Sequence, residues 1–165
     1  MRLYMKQKVF SFRDRFTIKD EYGEDKYFVA GKILSLGKQL SILDKGENEL
    51  AFIRQKVLSF MPRFFVEING ETVAEIVKKF TFLKPKYEVA GLNWKIEGDF
   101  FAHDFTIMEN DSVIAAIHKK WMSWGDTYEI DIGGAENEVL VLAVVLAIDA
   151  VAAADASAAA ASSST

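Results

Sequence analysis

The sequence predicts a mainly β protein: a closed antiparallel barrel wrapped around one hydrophobic helix near the C-terminus. Three observations predict it. Residues Val139 to Val151 (VLVLAVVLAIDAV) are apolar at every position except Asp149, and a helix apolar all round has to be enclosed on every side. Upstream, short runs alternate apolar with polar residues between turn clusters, which is the period of sheets with one wet face. Finally, one hairpin pattern occurs three times, the mark of a repeated supersecondary unit.

Taken in order, residues 3–20 (LYMKQKVFSFRDRFTIKD) read as two strands. Val9, offset from Phe10 and Phe12, lies in the first run, and Phe16 and Ile18 mark the second. DEYGED at 20–25 supplies a turn in which Gly23 is free to take positive φ. Strands follow at 27–36 and 39–44, with LDKGENE at 43–49 as the next turn.

The repeat starts there. Leu50, Ala51, Phe52 and Ile53 lead to Lys56, Pro62, Phe64 and Val66; Val73, Ala74, Glu75 and Ile76 lead at the same offsets to Lys79, Pro85, Tyr87 and Val89. In the third copy, Ile114, Ala115, Ala116 and Ile117 lead to Lys120, Tyr128 and Ile130, with Asp126 in place of proline. Each copy reads as a strand, a turn of about six residues and a return strand. A looser match of Gly31, Ile42 and Ala51 to Gly98, Ile107 and Ala115 suggests two related halves. Strands that close around a helix must admit its bulk, so Ala51, Ala74 and Ala115 are expected to face it where the approach is tightest. By pattern alone, the strands come to about twelve.

After a last strand at 130–132, Gly133 and Gly134 break the sheet and Asn137 is the expected N-cap. The helix is predicted over 137–151, with Glu136 and Glu138 at the positive end of its dipole. Ala143, Ala147 and Ala150 fall on or near one flank. Its six β-branched residues lower its intrinsic propensity, so it depends on its surroundings. Residues 1–151 therefore form one domain, and 152–165 form a low-complexity Ala/Ser tail without a motif.

Composition fits this plan. Half of the 165 residues are hydrophobic and 27% are charged, which suits one domain with a substantial core. The absence of cysteine excludes disulfides, thiolate metal sites and cysteine nucleophiles. The opening MRLYMKQKVFSF lacks an apolar run of signal-peptide length, so the expected location is cytoplasmic. A membrane span needs about 20 apolar residues, and Asp149 interrupts the late helix after ten; a core helix is the reading, with no transmembrane span. Residues 1–86 carry 17 Lys or Arg against 11 Asp or Glu, and 87–165 carry 3 against 13. A barrel interleaves its halves, so this linear split need not become a spatial one.

Candidate chemistry is sparse. The two histidines, His103 and His118, have only carboxylates such as Asp99 and Asp104 to complete a metal site. Ser59 and Ser123 lack a G-x-S-x-G elbow. Neither enzymatic activity nor a cofactor or metal is expected. The recurring cations Arg54 and Lys56, Lys78 and Lys79, Lys119 and Lys120 occupy related places in the three hairpins. Strand parity puts Gln55, Lys78 and Lys119 inward or at the mouth and Lys56, Lys79 and Lys120 outward. The outward three, with Arg54, are the candidate ligand-binding residues, because such groups hold phosphate oxygens by charge-assisted hydrogen bonds. The competing reading is that charges protect strand ends from edge pairing. Trp121 and Trp124 are expected to pack, and Asp149 is expected to contact backbone amides or a Lys or Arg at the barrel mouth.

With strands, repeats and helix placed, the chain resembles the LURP-one-related family of the tubby C-terminal-like superfamily, which includes the phospholipid scramblases. The resemblance is carried by the opening MRLYMKQKVFSFRDRFTIKD, by G-K-x-x-S-L-G-K at Gly31 to Lys38, by I-x-Q-K at Ile53 to Lys56, and by VLAVVLAID at 141–149. It implies a twelve-strand barrel threaded by the C-terminal helix. Tubby domains bind phosphoinositide headgroups through basic surface side chains, so the implied function is a non-enzymatic module for anionic phospholipid headgroups, peripheral to a membrane. The alternative is a protein-interaction or structural protein; no nucleic-acid partner is expected. The chain lacks a calcium-loop pattern and a twenty-residue span, which argues against scrambling itself.

Overall fold

Twelve strands follow one another around a wall, and every ladder between neighbours is antiparallel in a computed structural model that describes residues 1–6, 15–34, 37–79, 86–100, 102–122, 125–134 and 138–162. Backbone alone is described at 34, 121, 122, 125, 126 and 155–159. The strands are β1 (Arg2–Lys6), β2 (Arg15–Asp20), β3 (Asp25–Leu34), β4 (Gly37–Leu43), β5 (Glu49–Gln55), β6 (Arg63–Ile68), β7 (Glu71–Lys79), β8 (Lys86–Ala90), β9 (Trp94–Asp99), β10 (Asp104–Glu109), β11 (Ser112–Met122) and β12 (Gly125–Ile132). The spatial order runs from β8 down to β1 and continues through β12 to β9. The β1–β12 ladder closes the sheet on itself, and a single seam without a ladder remains between β8 and β9.

Period-two alternation is the cause of this wall. Leu3 and Met5, Leu40 and Ile42, Ala51 and Ile53, Phe64 and Val66, Ala74 and Ile76, Phe105 and Ile107, and Ala115 and Ile117 all point inward and are buried. The three sequence repeats become one structural motif. Ala51 lies opposite Ile42, Ala74 opposite Val66, and Ala115 opposite Ile107, and in each case the ladder shifts register immediately after that partner. Such a bulge bends its strand and increases the local twist, which helps the sheet curl. The two related halves are equally plain: Gly31 pairs with Leu40 just as Gly98 pairs with Phe105. At Gly98 (φ 134°) an added Cβ would stand 2.5 Å from the Asp104 carbonyl oxygen, so only glycine lets β9 and β10 approach.

The helix α1 (Glu138–Ser162) runs through the barrel, and Val141 to Val151 are buried without exception. It leans on β5, β6 and β7 and meets β12 more lightly, which is why Ala51 and Ala74 have to be small. Two differences from the sequence reading stand out. The helix continues eleven residues beyond Val151, because alanine is the best helix former even where no apolar period marks a buried face. The third hairpin, expected to carry a turn of about six residues, has only two residues between β11 and β12, since both strands run on. The expected Asn137 cap, the Val9, Phe10 and Phe12 run, Pro85, Ser123 and Trp124 lie outside the described residues, as does the side chain of Trp121. Among the described residues, no helix is long and apolar enough to cross a membrane.

Candidate functional site

Consecutive antiparallel strands send their connections alternately to the two ends of the barrel. One end receives the turns β2–β3, β4–β5, β6–β7, β8–β9 and β10–β11 and the start of α1. It is acidic: Asp20, Glu21, Glu24, Asp25, Asp44, Glu47, Glu49, Glu71, Glu109, Asp111 and Glu138 stand there against Arg2, Lys19, Lys26, Lys45 and Lys95. The other end, where β1, β3, β5, β7, β9 and β11 finish, is basic, with Lys6, Arg15, Lys38, Lys56, Arg63, Lys79 and Lys86 at described strand ends against Asp99, Asp104 and Asp126.

The cations concentrate on one wall. On β5 to β8 the inward residues are Ile53, Phe64, Ile76 and Tyr87, so alternation sends Arg54, Arg63, Lys79 and Lys86 outward. Lys79 is the direct cross-strand partner of Lys86, and the Lys56 amide donates to the Arg63 carbonyl at 3.0 Å. Lys56, Arg63, Lys79 and Lys86 therefore edge four consecutive strands. Acids sit one row further in. Arg63 Nη1 donates to Glu75 Oε1 at 2.7 Å, Lys79 Nζ meets Glu88 Oε2 at 2.6 Å, and Arg54 Nε pairs with Glu67 while its guanidinium lies 4.5 Å from the Phe65 ring centre. Lys56 is exposed, near the Phe65 ring at 5.8 Å. Neither Lys56 nor Lys86 has an ion pair among the described residues. Two like charges directly opposite on a ladder destabilise it, and a single Glu88 cannot neutralise both Lys79 and Lys86.

Of the four residues selected from sequence, this wall gathers Arg54, Lys56 and Lys79. Lys120 stands apart: β11 lies six strands from β5 in either direction. There its Nζ meets Glu129 Oε1 at 2.5 Å, and the Tyr4 hydroxyl donates to Glu129 Oε2 at 2.9 Å. Burial alone would push Glu129 upward, but the bonds from Lys120 and Tyr4 hold its carboxyl below the usual range. Lys120 is thus committed to a local pair on the opposite wall. Lys78 and Lys119 face Tyr87 and Tyr128 across their ladders, the inward parity expected of them, and both have partners. Arg63 and Lys86 escaped the sequence reading because neither follows the Ala–Ile strand of a repeat; they sit on the return strands, where only register reveals them.

Asp149 found a different partner from the one expected. It is buried at the basic end, and His103 Nδ1 from the β9–β10 connection lies 3.4 Å from its Oδ1. The His103 ring stacks on Tyr128 with centroids 4.2 Å apart. Burial pushes the Asp149 carboxyl up, and His103 offsets this only in part. At the other end, Glu138 meets Lys26 Nζ at 2.7 Å. A polar side-chain contact therefore ties the helix to the wall at each end. His118 pairs with Asp104 at 2.7 Å, and no cluster of three or more His, Asp or Glu suited to a metal occurs among the described residues.

One further concavity follows the β8–β9 seam. It is a cleft of about 530 Å³ with Tyr87, Val89, Trp94, Ile96 and Phe100 among its walls and Lys79 and Lys86 at its lip.

Fold and site together define a class: helix-cored, twelve-strand up-and-down barrels, here with a cationic rim on one end. A model of the LURP-one-related family matches residues 1–149, and the chain belongs to that family. It is similar to the uncharacterized protein YxjI of Bacillus subtilis (strain 168), with 40% identity over 149 residues, covering 90% of this chain and 92% of that one. The X-ray structure of a protein from Arabidopsis thaliana shares the fold, with a TM-score of 0.60, 15% identity and 90% of each chain covered.

Proposed function

We propose that the protein is a non-enzymatic module that binds anionic phospholipid headgroups at the β5–β8 rim, peripheral to a membrane. The observation that carries this reading is the opposition of Lys79 and Lys86 on one ladder, bracketed by Lys56 and Arg63. A phosphate between them would relieve the repulsion and accept charge-assisted hydrogen bonds from several donors at once. The acidic opposite end supports the same reading, because it gives the molecule an orientation: a negative surface attracts one end and repels the other. The refined ligand set is Lys56, Arg63, Lys79 and Lys86, with Arg54 behind it.

The test is sedimentation with vesicles of phosphatidylcholine alone and with added phosphatidylserine or phosphoinositide, at low and high salt. Binding that needs the anionic lipid and weakens with salt is expected, since screening shortens the reach of exposed charges to about 10 Å at 0.1 M ionic strength. Reversing Lys56, Lys79 and Lys86 to Glu together should abolish it. Unchanged sedimentation of that variant overturns the rim as the binding site.

A second reading, a protein-interaction module, is favoured by the open β8–β9 seam. Two strand edges without a ladder between them suit the addition of an extended peptide. Failure of the chain to bind any vesicle would make this the better reading.

A further inference from the structure

The headgroup reading leaves one feature of the basic end unused. The connection from β5 to β6 runs Lys56-Val57-Leu58-Ser59-Phe60-Met61-Pro62 before Arg63. Val57 is about half exposed, and Leu58 and Phe60 are completely so, at 102% and 99%. These are three of the seven large hydrophobic residues exposed among the described ones. No other connection described at either end resembles it: the turns at the acidic end, 21–24, 44–48, 69–70, 91–93 and 110–111, are built of polar residues and glycine apart from Tyr22 and from Leu92, which is partly buried against the core. Leu58 also holds a left-handed backbone (φ 59°), a conformation that side chains other than glycine rarely adopt.

A loop that sheltered its apolar residues would need no explanation. This one presents them outward from a base made of cations: the Lys56 amide and the Arg63 carbonyl close the loop at 3.0 Å, and Lys79 and Lys86 lie two and three strands from β5 along the same rim. Apolar tip above cationic base matches a bilayer leaflet read from the inside out, with acyl boundary first and phosphate plane next. We infer that the β5–β6 loop is a hydrophobic wedge, Leu58 and Phe60 entering the acyl boundary of an anionic membrane while the rim lysines hold its phosphates. The occupant is a lipid surface rather than a soluble phosphate, because the wedge gains nothing from a headgroup without acyl chains. This inference rests on the headgroup reading and adds a second, salt-resistant component to it.

The chain has no cysteine, so a single Leu58→Cys substitution can carry an environment-sensitive fluorophore, with Tyr22→Cys at the acidic end as the control. Both positions are exposed, and neither label should disturb the fold. On vesicles of phosphatidylcholine and phosphatidylserine, the Leu58 label should shift to the blue and be quenched by lipids doxyl-labelled in the acyl chain, while the Tyr22 label should stay in water. In parallel, Leu58→Ser with Phe60→Ser should lower vesicle partitioning about tenfold or more, as loss of two buried apolar side chains requires, and the residual binding should become fully salt-sensitive. If the parent chain sediments with anionic vesicles but the Leu58 label remains water-exposed, the wedge is overturned and headgroup binding stands. If the parent binds no vesicle at any salt, headgroup binding and wedge fall together, and the apolar loop is then a contact for another protein.

Discussion

Lys86 is the residue at which stability and binding should part company. Among the described residues it opposes Lys79 without an ion pair of its own, so removing its charge relieves repulsion. Lys86→Gln is expected to leave the free energy of unfolding unchanged or raised within about 0.5 kcal/mol, read by urea melts, while anionic-vesicle sedimentation falls. A variant that loses binding because it is less stable would refute the assignment. Asp149 gives the converse case, a buried group that costs stability. Burial raises its folded-state pKa above the ordinary 3.8, so the folded state holds the proton more tightly than the unfolded one. Stability attributable to this group is therefore highest at low pH and falls as pH climbs from that ordinary value through the raised one. Asp149→Asn removes the titration, and the gain in Tm over the parent should be larger at about pH 7 than at about pH 4. An equal difference at both would show that His103 leaves no net penalty. The sequence made it plain that Asp149 needs a partner, since a carboxylate in an apolar helix cannot stay alone. That the partner is His103 was not legible, because the β9–β10 connection meets the helix only after the barrel has closed.

The element scale is where the sequence was most legible. The Ala–Ile repeat set the inward faces of β5, β7 and β11 and the outward faces of Lys56, Lys79 and Lys120, because a period of two leaves no freedom once one face is apolar. Strand ends were harder: alternation runs on through the short turn of the third hairpin, and nothing in the polar pattern says where pairing stops. The helix end failed for the opposite reason, since the Ala-rich stretch has strong propensity but no period. Which strands touch the helix was likewise hidden. α1 lies closest to β5, β6 and β7, so Ala51→Leu and Ala74→Leu should each cost about 1–3 kcal/mol by overpacking. Ala115 is as buried as the other two, but β11 is not among the strands nearest the helix, and Ala115→Leu should cost less. Thermal melts of the three single variants check the order; a larger loss at Ala115 would mean that the helix is centred in the barrel.

At the scale of the whole molecule, the charge split seen along the chain is not the split in space. The first half is basic in total, yet its turns β2–β3 and β4–β5 are acidic and lie at the opposite end from Lys56 and Lys79. Up-and-down connectivity sorts charge by end rather than by half, and only topology exposes it. The same connectivity makes the helix indispensable. Every inward side chain of the wall has to be covered by something that enters after β12, and α1 is the one helix among the described residues. Val141, Leu142, Val144, Val145, Leu146, Ile148 and Val151 are all buried against that wall. Burying each such side chain contributes about 1.5–3 kcal/mol, while the net stability of a domain is only about 5–15 kcal/mol, so the barrel cannot lose them and stay folded. A chain ending at Glu138 is therefore expected to be insoluble or unfolded. A chain ending at Ala154 keeps the buried segment and both polar ties, Glu138 to Lys26 and Asp149 to His103, and drops residues whose described members at 160–162 are exposed. It should melt within a few degrees of the parent, a difference on the order of 1 kcal/mol. A well-dispersed NMR spectrum from the chain ending at Glu138 would refute the helix-cored barrel, and unfolding of the chain ending at Ala154 would show that the helix draws its stability from beyond the barrel mouth.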